Sequence, residues 1–128
     1  MTTAHNQRPP FPERKISETF LDFASPLLDV LPHGVGKAEF EDVLKIAFTV
    51  WNAVVYADVT GDEKHLETIR KLTAQDPDPI ALSLLNQLVD RKRAMFGADH
   101  RLIGQYKVTA KQGGFNLWAE ARTPYPET

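Results

Sequence analysis

A chain of 128 residues, 42 % of them hydrophobic, can build one domain around its own core without metal or disulfide staples. It contains no cysteine, which excludes disulfides, thiolate catalysis and cysteine-based zinc or iron–sulfur sites. The net charge of −2 argues against a generic nucleic-acid binder, yet it is unevenly spread: residues 1–89 hold 8 Lys/Arg against 13 Asp/Glu, and residues 90–122 hold 7 against 3.

The first fifteen residues are polar and Pro-rich, with Pro9, Pro10 and Pro12 around Phe11, and read as a disordered arm. They lack the apolar stretch of a secretory leader. No run reaches the ~18 apolar residues of a membrane span. The cytoplasm is the expected location, with no membrane contact.

The globular part is expected over residues 16–123. Ser17 stands as an N-cap, with Ile16 and Leu21 at the staple positions on either side. Phe20, Ala24, Leu27 and Leu31 then recur at helical spacing. Pro26 falls inside this pattern and either kinks the helix or restarts it from Ser25. The glycines of "LPHGVG" close the segment.

The next stretch, about 37–58, poses a conflict. "IAFTVWNAVVYAD" is rich in β-branched and aromatic residues, the types enriched in strands. Its polar side chains decide otherwise. Lys45, Thr49, Asn52 and Tyr56 follow one another at steps of 4, 3 and 4. On a helix they fall within an arc of about 60°, whereas a strand would split them between two faces. The rest of the surface is apolar nearly all round, so this is a central, buried helix. Trp51 is assigned to its core side, and Asn52 and Tyr56 to its one polar stripe.

Thr60 and Glu63 have capping-box spacing, which predicts a third helix over about 61–74 with a thin apolar stripe. Asp78 and Pro79 open a fourth, with Ile80, Leu84, Leu85, Leu88, Val89, Met95 and Phe96 facing inward and Gly97 as its stop. Beyond Gly97 the period changes to 2. "RLIGQYKVTA" and "FNLWAEAR" flank the turn signal "KQGG" and predict an antiparallel β-hairpin over about 101–122. A turn at Gln112-Gly113 pairs Val108 with Leu117, Tyr106 with Ala119, Lys107 with Trp118 and Gln105 with Glu120. Residues 124–128 read as a frayed tail. The fold class is α+β: roughly four helices, then the hairpin.

Motifs for chemistry are scarce. "HGVGK" lacks the first glycine and the Ser/Thr of a phosphate-binding loop. "DVTGDEKHLETI" has Glu63 and Ile69 where a calcium loop needs Gly and Glu. No His pair has metal-ligand spacing on a helix, and no G-x-S-x-G is present. No cofactor or metal is expected. The candidate binding residues are Asp99, His100 and Arg101, where an acid, an imidazole and a guanidinium at a helix–strand junction could grip an anion or move a proton. Lys107 and Trp118 join them on the outer hairpin face, where basic and aromatic residues alternate and a cation–π pair would also explain them. Asn52 and Tyr56 complete the set as a possible pocket edge.

A two-stranded hairpin leaves both edges open, and pairing with a second copy would cover one. The expectation is therefore a non-enzymatic interaction or scaffold protein, a homodimer through the C-terminal hairpin. The alternatives are a small-molecule binder or enzyme near Asp99–Arg101 or Asn52/Tyr56, and a nucleic-acid accessory using Lys107, Trp118 and Arg122.

Overall fold

The computed structural model describes residues 15–32 and 34–123. The N-terminal arm up to residue 14, His33 and the tail from residue 124 lie outside the described residues. Four helices come first: α1 (Ile16–Leu28), α2 (Lys37–Thr60), α3 (Lys64–Ala74) and α4 (Ile80–Phe96). A hairpin of β1 (Leu102–Lys111) and β2 (Gly114–Arg122) follows.

Helix α2 is the axis of the fold. It packs against α1, α3, α4 and β1, and it buries Leu44, Ala47, Phe48, Val50, Trp51, Ala53, Val54, Val55 and Ala57. Lys45 and Thr49 are exposed, and Asn52 and Tyr56 half-buried, so the 4-3-4 polar stripe is real. Burial of large apolar side chains at roughly 1.5–3 kcal/mol each outweighs the weak strand preference of Val and Phe. By length and mean hydropathy α2 could cross a membrane, but half of its most apolar window is covered by its own fold. Aromatic contacts tie the layers together: Phe20 stacks on Phe48 at 4.2 Å, and Phe48 lies 4.2 Å from Tyr106. Trp51 meets Phe23 edge-on at 5.3 Å.

Several predicted boundaries move. Lys15, not Ser17, is the N-cap of α1, and Ile16 is already helical and buried. Pro26 does not restart α1, which continues to Leu28. A proline cannot donate to the carbonyl four residues back, here that of Asp22. Arg91 of α4 supplies a donor to it, with Nη2 at 2.8 Å from Asp22 O and Nε at 3.0 Å from Phe23 O. Helix α2 runs two residues past the expected end. Gly61 stops it with φ 77°, a left-handed conformation glycine adopts without a Cβ penalty, and donates its N–H to Ala57 O. The Thr60–Glu63 capping box therefore does not form. Thr60 Oγ1 donates to Tyr56 O and accepts the Asp62 N–H, and Asp62 Oδ1 accepts the Lys64 N–H. Asp78 Oδ1 accepts the Ile80 N–H at the start of α4, as its position suggested.

Residues on α4 divide differently from the prediction. Leu85, Leu88, Val89 and Phe96 are buried, but Ile80, Leu84 and Met95 are exposed, and Lys92 is fully buried in their place. The hairpin register is the predicted one from the turn to Tyr106: Val108 opposite Leu117, Lys107 opposite Trp118 and Tyr106 opposite Ala119. Gly113, at φ 81°, supplies the left-handed residue of the two-residue turn. Below Tyr106 a bulge sets Gly104 and Gln105 against Glu120 alone, so Ile103 pairs with Ala121. The extra residue reverses the alternation. Ile103, which unbroken alternation would put on the outer face with Lys107, is buried in the core.

Candidate functional site

The junction "GADHR" folds into a closed polar centre. Asp99 is fully buried. Arg101 grips it with two bonds, Nε to Oδ1 at 2.9 Å and Nη2 to Oδ2 at 2.6 Å, and its own backbone N–H donates to Oδ1. Arg101 O accepts the Trp51 indole N–H at 2.7 Å. Lys92 Nζ donates to Phe96 O at 2.8 Å and Asp99 O at 2.9 Å, capping the end of α4, and lies 4.4 Å from the centre of the Trp51 ring. Burial pushes the Lys92 ammonium down to about 8, against the opposing pull of Asp99 and Asp58. His100 is exposed and stands apart from this centre. The three junction residues thus do not converge on one ligand position. Asp99 and Arg101 bind each other, and the pair locks the end of α4 to Trp51 and to the start of β1.

Asn52 is committed as well. Its Nδ2 donates to Ile103 O at 3.0 Å, and its Oδ1 accepts the Ile103 N–H at 2.8 Å. The side-chain amide stands where a neighbouring strand's peptide would be. The β1 edge, expected to be open, is therefore occupied at Ile103. Beside this contact a groove of about 440 Å³ is lined by Thr49, Asn52 and Tyr56 of α2, His65 of α3, and Gly104 and Arg122 of the hairpin. Tyr56 meets His65 edge-on at 5.2 Å. Arg122 Nε pairs with Glu120 Oε1 at 2.8 Å, and that bond lowers the Glu120 pKa. A Cβ on Gly104 would run into Arg122 Nε and stand 2.6 Å from Glu120 Oε1, so the bulge glycine leaves room for this pair.

Lys107 and Trp118 are register partners on the outer face of the hairpin, and Trp118 is 55 % exposed. The cation–π contacts among the described residues lie elsewhere: Lys92 with Trp51 and Arg91 with Phe96. Asp58, Asp62 and His65 do not make a metal site. Among the described residues no group of three His, Asp or Glu side chains could hold an ion, and Asp58 pairs with Arg93 at 2.9 Å.

Two features escaped the sequence reading. Lys92 is the first, and its spacing is a signal: it follows Leu88 by four residues and Val89 by three, and precedes Phe96 by four, so it stands in the buried stripe of α4. The second is an apolar groove of about 670 Å³ lined by residues of all four helices, among them Ile46, Leu72, Ile80 and Leu84. The first three are more than half exposed. Helix α3 is eleven residues long and buries only Leu66, so it is too slight to cover this end of the bundle.

These features define an α+β protein in which a four-helix unit supports a C-terminal antiparallel hairpin. No protein family, curated protein or solved structure matches the chain.

Proposed function

We propose that this chain is a non-enzymatic interaction protein that works as a homodimer through its C-terminal hairpin. One observation carries the reading: Trp118 stands more than half exposed in the middle of the outer hairpin face, opposite Lys107. Exposed tryptophans are frequent anchors of protein interfaces. With Asn52 bonded to the β1 edge at Ile103, the outer face is a better contact than edge-to-edge pairing there. The cysteine-free sequence fits a reducing cytoplasm.

The test is light scattering over a rising concentration series, with tryptophan emission followed in parallel. Trp51 is already buried, so a blue shift on association reports Trp118. A strict monomer throughout would overturn the proposal. A second reading is favoured by the groove beside Asn52 and Tyr56, whose volume of about 440 Å³ lies in the range of small-ligand sites. A metabolite panel that leaves the melting temperature unmoved would remove it.

A further inference from the structure

We infer that the apolar groove of the helical unit receives the outer hairpin face of a second copy of this chain, and that reciprocal docking closes a twofold dimer. The inference rests on the self-association just proposed and specifies its contact surfaces.

The groove gathers Ile46 from α2, Leu72 from α3, and Ile80 and Leu84 from α4. Four exposed large apolar side chains in one concavity mark an interaction surface rather than scattered surface residues. Exposed carboxylates stand in it and beside it. Asp76 lines the groove, and Asp78 belongs to the same turn. Asp42 and Glu39 precede Ile46 by four and seven residues, which puts them on its face of α2. All four acids are exposed. A groove facing its own image would set acid against acid, an arrangement that opposes association.

The hairpin offers the complement. Trp118 supplies an apolar anchor, Lys107 stands directly across from it, and Lys111 is exposed on the same face four residues along β1. The two lysines are about 13 Å apart along the strand backbone, and the groove they would meet combines exposed acids with an apolar floor. Thr49, Thr73 and Gln75 line the groove and can accept the indole N–H. Each copy carries one groove and one hairpin, so a twofold axis makes the contact twice.

Analytical ultracentrifugation tests this with charge exchange. The double variants Glu39→Lys/Asp42→Lys and Lys107→Glu/Lys111→Glu should each weaken the dimer about tenfold or more, and combining all four changes should recover most of the loss. Leu84→Glu in the groove should dissociate the dimer as Trp118→Ala does, with circular dichroism confirming that each variant is folded. If Leu84→Glu leaves the dimer intact while Trp118→Ala dissolves it, the hairpin dimer stands and this inference falls. Failure of the fourfold exchange to recover association also overturns it, as does growth into open oligomers. A wild-type monomer at about 100 µM overturns the self-association reading itself.

Discussion

Asn52 of α2 and Ile103 of β1 exchange two hydrogen bonds, the side-chain amide of one pairing with the backbone of the other at 2.8 and 3.0 Å. A helix here takes the role of a third strand for one residue. The contact follows from the polar stripe of α2 meeting the strand just below the Gly104–Gln105 bulge.

Removing that amide should loosen the hairpin. Asn52→Ala leaves both Ile103 backbone groups without this partner, at a cost of about 2–3 kcal/mol. Asn52→Asp should recover only part, since a carboxylate accepts from the Ile103 N–H but cannot donate to its carbonyl. Urea denaturation measures the loss, and hydrogen exchange should show it concentrated at the Ile103 amide. Uniform loss of protection across the chain would contradict the local origin.

Asp99 and Arg101 should each be costly to remove. Asp99→Ala removes both carboxylate bonds from a partly buried guanidinium and takes the carboxylate away from the Lys92 centre, costing about 3 kcal/mol. Arg101 is partly exposed, with a side chain 20 % accessible, but Asp99 has no access to water at all. Arg101→Met therefore leaves a buried carboxylate and should cost a similar amount near neutral pH. Urea denaturation measures both losses, and a cost below about 1 kcal/mol for Arg101→Met would argue against this.

Lys92 gives a signed prediction at alkaline pH. Its pKa is lowered from 10.5 to about 8 by burial. Below pH 8 both folded and unfolded chains carry the proton, and the folded state bears the full cost of the buried charge. Between about 8 and 10.5 the unfolded chain holds the proton more tightly, so stability rises with pH in that window. Wild type should gain on Lys92→Met by up to about 3 kcal/mol across it. Denaturation of both proteins at about pH 7.5, 9 and 10 isolates the effect from other titrating groups. A constant difference would show that Lys92 keeps its proton.

Arg91 and Pro26 should be coupled. Arg91 donates to Asp22 O, the carbonyl Pro26 cannot serve. Pro26→Ala restores an intrahelical donor, so Arg91→Met should be less damaging in that background. A double-mutant cycle should give a coupling of about 0.5–1.5 kcal/mol. Strict additivity would mean that Arg91 serves α1 only through Phe23 O and Asp22 Oδ1, the latter 3.9 Å away.

Most of the architecture is written locally. The 4-3-4 spacing of Lys45, Thr49, Asn52 and Tyr56 makes α2 a helix against its own strand-like composition, because a face must be polar or apolar as a whole. The period-2 segments around Gln112-Gly113 set the hairpin and its register as far as Tyr106, because a two-residue turn leaves few ways to pair. Tertiary structure decided the rest. Gly104 beside Ile103 is a weak bulge signal, but the chain alone does not show that the register shifts there; the bulge exists because Ile103 must reach the core while Tyr106 still packs on Phe48. Nothing near Asp99 says that Lys92 and Trp51 will enclose it, since those partners come from α4 and α2. The uncovered groove is likewise invisible to periodicity, which shows which residues are apolar but not whether a neighbour arrives to bury them. Local pattern determines the elements; only their packing determines which polar groups are consumed within the fold and which apolar ones are left for a partner.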